Sequence, residues 1–204
     1  KMSLLVSALI TGIAAVHYYY MRDYNLATGD SPTFFRYVDW ILTVPLMCVE
    51  FYLLTKLAGA TKNLLWKLIF ASTWMLVCGY IGEAFNPGGT DATNHSVTWG
   101  ILSTIGYLYI LYTAWIGEVA KLAEKSNSIA IKNGVRSLAW FVLVGWAIYP
   151  IGYMCMEGGW LSSIMNPSSI DVWYNIADAI NKIGFGLVVY YIAISETNKE
   201  TSVS

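Results

Sequence analysis

Six long apolar stretches set the limits on what this 204-residue chain can fold into. A helix rises 1.5 Å per residue, so about 20 apolar residues span the hydrocarbon core of a bilayer. With 56% hydrophobic and 12% charged residues, the composition is that of an integral membrane protein. We therefore predict an all-α membrane protein whose helices form one transmembrane bundle over residues 1–204. The predicted spans are 2–21, 34–55, 63–83, 97–119, 135–156 and 172–194.

The connections between these spans are short and polar. Gly, Pro and Asn are frequent at 86–95 and 156–169, which predicts the two longest loops there. The three cysteines, Cys48, Cys78 and Cys155, lie in apolar stretches without metal-ligand spacing. We expect neither a disulfide nor a metal site.

Basic residues predict the orientation of the chain in the membrane. They concentrate in or beside the connections after the second and fourth spans, and just beyond the last span. The positive-inside rule places these connections, and with six spans both chain ends, in the cytoplasm. The residues concerned are Lys56, Lys62, Lys67, Lys121, Lys125, Lys132, Arg136 and Lys199.

Six ionisable side chains lie inside the apolar stretches. Each costs roughly 2.5–3.5 kcal/mol at the centre of a membrane helix, so such residues usually mark function. Interhelical salt bridges that serve assembly alone are the alternative, but the depths of these residues agree with one another, which favours a functional site. The set consists of His17, Arg36, Asp39, Glu50, Asp178 and Lys182, with Glu83 near a helix end.

The depths follow from helix geometry. Eleven residues separate Asp39 from Glu50, which makes about three turns and about 16 Å. In the last span Lys182 lies close to the membrane centre, with Asp178 one turn outward on the same face. His17, on the first span, comes to the depth of Asp39. The second span thus carries a polar stripe formed by Arg36, Asp39, Thr43, Met47 and Glu50.

This arrangement suits directed proton transfer. Desolvation would leave the amine of Lys182 uncharged, which makes it a good Schiff-base former. Asp39 and Asp178 could neutralise a protonated Schiff base, with Arg36 holding both carboxylates ionised. Glu50 lies among apolar side chains and would remain protonated. The stripe therefore offers a proton acceptor outside the lysine and a donor inside it.

Five motifs carry a family resemblance over essentially the whole chain. The sequence resembles the microbial rhodopsins, and among them most closely the proteorhodopsins. The family has seven helices, and the first span here matches its second. We therefore expect a heptahelical bundle of which six helices are present, with the family's first helix missing from this sequence. The motifs are "TGIAAVHYYYMR" (11–22), "GDSPTFFRYVDWILTVPLMCVEFYLL" (29–54), "GYIGEA" (79–84), "GWAIYPIGY" (145–153) and "YNIADAINKIGFGL" (174–187).

The resemblance implies all-trans retinal bound to Lys182 as a protonated Schiff base. It implies Asp39 as counterion and proton acceptor, Asp178 as second counterion and Glu50 as cytoplasmic proton donor. Thr43 matches the family's hydroxyl one turn from the acceptor, and His17 matches the histidine that pairs with the acceptor. Met47 matches a position where Leu or Met accompanies green absorption and Gln accompanies blue absorption. The expected pocket walls are Trp40, Trp146, Tyr149 and Pro150, with Tyr18 and Tyr153 as additions. Tyr107 departs from the family, because many relatives have a pocket tryptophan there.

The implied function is a light-driven outward proton pump, which is not an enzyme. Sodium pumps carry Asn, Asp and Gln where this chain has Asp39, Thr43 and Glu50, and chloride pumps lack the acceptor carboxylate. A sensory rhodopsin that signals through a partner is the alternative, and a retinal-free transporter is a further one. We expect membrane lipid and protons as partners, a homo-oligomer, no nucleic acid, and a prokaryotic inner membrane with a cytoplasmic C-terminus.

Overall fold

The computed structural model describes residues 2–87, 91–156, 159–163 and 167–203, and it is helical along nearly all of them. A 3₁₀ turn at Lys56–Ala58 follows the second helix, and a π-helical turn at Phe141–Gly145 follows the sixth. The α-helices are α1 (Met2–Thr28), α2 (Thr33–Thr55), α3 (Lys62–Ala84), α4 (Ala92–Trp115), α5 (Glu118–Lys125), α6 (Ile129–Trp140), α7 (Ile148–Cys155) and α8 (Pro167–Val203).

Six helical segments among the described residues are long and apolar enough to cross a membrane, as the sequence predicted. The fourth crossing begins with α4, and α5 extends it beyond a break at Gly117. The fifth joins α6, the π-helical turn and α7. The protein is therefore an integral membrane protein with an all-helical membrane domain.

Several helices extend beyond their predicted spans, because polar residues at their ends continue the helix. α1 runs seven residues past its apolar stretch and ends at Thr28, before Gly29, whose φ of 76° closes a helix readily. The loop predicted at 86–95 is shorter, since α4 begins at Ala92. α8 begins at Pro167, inside the loop predicted at 156–169, and proline is favoured in the first turn of a helix. Residues 88–90, 157–158 and 164–166 of these two loops lie outside the described residues.

The crossings form a closed ring in which neighbours in sequence are neighbours in space. α1 packs against α2 and α8, α3 packs against α2 and α4, and the fifth crossing packs between α4 and α8. α2 also contacts α5 and α6, and it is the most buried crossing. Its polar stripe therefore faces the interior of the ring rather than lipid.

The two ends of the ring differ in charge. α5 packs against α2 and the 3₁₀ turn, so the basic connections after the second and fourth crossings meet at one end. The side chain of Lys199, predicted at the same end, lies outside the described residues. At the opposite end stand two carboxylates, Glu83 at the end of α3 and Asp171 near the start of α8.

Candidate functional site

A buried lysine between two aspartates forms the centre of the candidate site. The Nζ atom of Lys182 on α8 donates to Oδ2 of Asp39 on α2 and, at 2.5 Å, to Oδ2 of Asp178 one turn earlier on α8. The three side chains are exposed by 3% or less. The predicted convergence of α2 and α8 on this lysine is thus present in the structure.

Two tyrosines hold Asp178. The hydroxyl of Tyr18 on α1 donates to Oδ2 at 2.7 Å, and that of Tyr149 on α7 donates to Oδ1 at 2.9 Å. The Tyr18 ring also lies 5.9 Å from the Lys182 amine. Asp178 is therefore fixed by hydrogen bonds from two helices as well as by the lysine.

Asp39 is less completely paired. Its Oδ1 has no hydrogen-bond partner among the described residues. Nδ1 of His17 lies 3.6 Å from this oxygen, beyond hydrogen-bond distance, and 2.9 Å from the carbonyl of Ile13. The Thr43 hydroxyl donates to the backbone carbonyl of Asp39 rather than to its carboxylate. Within the described part of the chain, one buried oxygen of Asp39 thus accepts no hydrogen bond.

Arg36 has different partners from those that the sequence suggested. We expected its guanidinium to face Asp39 and Asp178. Instead Nη2 donates to Asp171, and Nη1 lies 3.7 Å from Oε1 of Glu83. Because both carboxylates stand at the end away from the basic connections, Arg36 lies between Asp39, one turn later on α2, and that end of the bundle.

Glu50 lies on the other side of Lys182, toward the basic connections. It is completely buried, and the Ser7 hydroxyl on α1 donates to its Oε1 at 2.9 Å. Its Oε2 has no hydrogen-bond partner in the described part of the chain. Ser7 escaped the sequence analysis because a serine in an apolar helix carries no charge to mark it.

Apolar side chains separate Glu50 from Lys182. Phe185, one turn beyond the lysine, packs edge-to-face against Phe51 with ring centroids 6.0 Å apart and lies 6.5 Å from the Phe141 ring. Met47 and Val142 are buried in the same cluster. We call these five residues the apolar barrier.

A cavity of about 360 Å³ lies beside the lysine, within the usual size range of ligand pockets. Its walls are mainly aromatic and aliphatic, and they include Asp178 and Asn181, which precede Lys182 on α8. An elongated apolar ligand attached to the lysine would suit a cavity with such a lining. Five of the six predicted wall residues line it, namely Trp40, Trp146, Tyr149, Pro150 and Tyr153, and so does Met47. The sixth, Tyr18, is not among the lining residues and binds Asp178 instead.

The sequence analysis missed several participants. Asn181 donates to the carbonyl of Gly145 at 2.9 Å, and Tyr174 donates to that of Tyr149 at 3.0 Å. Asp171 pairs with Arg36 although its position lay just outside the predicted last span. The available signal was the position of these polar residues on α8: Asp171 lies two turns and Tyr174 one turn before Asp178, and Asn181 is next to Lys182.

Comparison with known proteins identifies the family. The family model described as "Bacteriorhodopsin-like protein" matches residues 1–196. The chain belongs to the bacteriorhodopsin-like family. It is 42% identical over 205 aligned positions to the green-light absorbing proteorhodopsin of Gamma-proteobacterium EBAC31A08, covering 97% of this chain and 76% of that protein. Identity to the blue-light absorbing proteorhodopsin of Gamma-proteobacterium Hot 75m4 is 41%, with the same coverage.

A solved rhodopsin structure shares the bundle. Xanthorhodopsin, described as a light-driven ion pump with dual chromophore, superposes with a TM-score of 0.80 at 31% identity. The match covers 98% of this chain and 82% of xanthorhodopsin. The rhodopsin fold and the resemblance to proteorhodopsins are thereby confirmed.

The burial of Arg36 leads to a prediction about stability. Arg36→Ala should lower the unfolding free energy by about 3 kcal/mol, because it leaves Glu83 and Asp171 without their cation. Arg22→Ala is the matched control, since Arg22 pairs with Asp23 at 3.3 Å but is 66% exposed, and it should cost less than about 1 kcal/mol. Denaturant titration of both variants in detergent micelles measures the difference, and equal losses would contradict the structural role of Arg36.

Proposed function

We propose that this protein is a light-driven outward proton pump that carries all-trans retinal on Lys182 as a protonated Schiff base. The observation that supports the proposal best is the buried group of Lys182, Asp39 and Asp178, of which Asp178 lines the apolar cavity. Membership of the bacteriorhodopsin-like family supports it independently.

Retinal bound to Lys182 would supply light absorption and a light-driven isomerisation that makes the lysine nitrogen release its proton. The cavity walls would hold the chain of the chromophore, and the aromatic rings of Trp40, Trp146 and Tyr149 would limit its movement. Asp178 and Asp39 would balance the positive charge at the nitrogen.

The two aspartates differ in their capacity to take that proton. Tyr18 and Tyr149 donate to both oxygens of Asp178, whereas Oδ1 of Asp39 has no hydrogen-bond partner among the described residues. Asp39 also contacts the lysine nitrogen directly through Oδ2. We therefore assign proton acceptance to Asp39 and a fixed negative charge to Asp178.

Glu50 is the proposed proton donor to the lysine nitrogen. It lies on the side of the basic connections, which the positive-inside rule assigns to the cytoplasm. Ser7 holds one oxygen of the carboxyl group, and the apolar barrier keeps water from joining Glu50 to Lys182 in the dark. Asp39, Arg36, Glu83 and Asp171 lie on the opposite side of the lysine from Glu50, so the proposed transport is directed outward.

A sensory rhodopsin is the alternative. A sensor signals through a partner and has no need of a donor carboxylate, whereas Glu50 is buried and held by Ser7. The proposed activity moves a proton and converts no substrate.

Light-driven pH changes test the proposal. Cells that express the protein and receive retinal should acidify an unbuffered medium on illumination, and a protonophore should abolish the change. Lys182→Ala, which lacks the amine, should give no light response and no covalent chromophore. A coloured protein without any pH change would favour the sensor, and alkalinisation of the medium would contradict the outward direction.

Glu50→Gln should slow proton return to the lysine nitrogen by a factor of roughly 10²–10⁴, because the amide keeps the shape but cannot supply a proton. Flash photolysis with a pH indicator measures the step. Added azide should restore much of the rate in the variant. An unchanged rate in Glu50→Gln would show that another group is the donor.

Met47→Gln should shift the absorption maximum to the blue while pumping continues. Met47 is 1% exposed and lines the cavity. Excitation moves positive charge away from the nitrogen, so a polar amide there stabilises the ground state more than the excited state. We propose green absorption for the natural chain. Superimposable spectra of the two proteins would show that Met47 only fills space.

A further inference from the structure

The fifth crossing is interrupted where it passes the cavity. In the π-helical turn the Trp146 amide donates to the carbonyl of Phe141, five residues earlier, at 2.9 Å. Pro150 has no amide hydrogen, so the carbonyl of Trp146 accepts from Tyr149 at 3.1 Å instead. The segment from Phe141 to Pro150 therefore lacks the continuous hydrogen-bond ladder of an α-helix.

Side chains from other helices replace the missing hydrogen bonds. The Tyr107 hydroxyl on α4 lies 3.0 Å from the carbonyl oxygen of Val142 and 3.2 Å from that of Leu143. Asn181 on α8 donates to the carbonyl of Gly145, where a Cβ would overlap the Asn181 amide. A carbonyl inside a membrane needs such a partner, because lipid offers none.

The same turn belongs to the apolar barrier. Phe141 lies against Phe185, Val142 is completely buried in the barrier cluster, and Trp146, directly after the turn, lines the cavity. A proton cannot pass from Glu50 to Lys182 until these side chains separate and admit water. In this turn the backbone beside the barrier does not have the regular hydrogen bonds of an α-helix.

We propose that Tyr107 is a positioning residue whose hydroxyl fixes the π-helical turn and so keeps the apolar barrier closed until Glu50 must donate. This inference rests on the proposed pump. The Tyr107 ring lines the cavity, so phenylalanine preserves the wall and removes only the hydroxyl. Asn181 is a less suitable site for the test, since a change there adjoins Lys182.

The test compares Tyr107→Phe with Tyr112→Phe, a control on the same helix whose side chain is 55% exposed. Amide hydrogen exchange of the segment 141–147 is measured in the dark by mass spectrometry, and the rate of proton return to Lys182 is measured after a flash. Loss of one membrane hydrogen bond should raise both rates roughly three- to tenfold in Tyr107→Phe and leave both unchanged in the control.

The outcomes separate the two proposals. Faster exchange together with faster proton return, at unchanged chromophore content, supports the positioning role. Unchanged exchange overturns it, and so does faster exchange with an unchanged return rate, which would make the hydroxyl a purely structural contact. Failure of the natural protein to colour or pump would instead refute the proposed function. The amide exchange rate of segment 141–147 in Tyr107→Phe, relative to that in the natural protein, would still show whether the hydroxyl stabilises the π-helical turn.

Discussion

The structure depends on burying one ammonium group beside two carboxylates within a membrane. Lys182 lies against Asp39 and Asp178, and removing any one of the three is costly, because a buried charge that loses its partner is destabilising. This requirement draws α2 and α8 together. It also brings in α1 and α7, which supply the two tyrosines that bind Asp178.

The surroundings of the lysine are asymmetric, and a pump requires such asymmetry. Toward one end, Arg36 lies one turn from Asp39 and pairs with Glu83 and Asp171. Toward the other, phenylalanines and aliphatic side chains isolate Glu50. For the proposed pump, this difference between the two sides of Lys182 would give the direction of transport a physical basis.

Helical periodicity made the centre of the site predictable. The positions of Asp39, Asp178 and Lys182 along apolar helices predicted their depths in the membrane. Their charge, in otherwise apolar stretches, identified them as candidate functional residues. The partners of Arg36 could not be read in this way, since Glu83 and Asp171 come from two other helices and meet it only after packing. The π-helical turn was likewise hidden, because it depends on hydrogen bonds from Tyr107 and Asn181 to backbone carbonyls.

Chemical trapping of the chromophore tests the central claim most directly. Borohydride reduces a Schiff base to a stable secondary amine, which peptide mass spectrometry can locate after proteolysis of the retinal-loaded, illuminated protein. The account predicts a retinyl group on the peptide that contains Lys182 and on no other lysine. An unmodified Lys182 in a coloured sample, or a retinyl group on a different lysine, would contradict it.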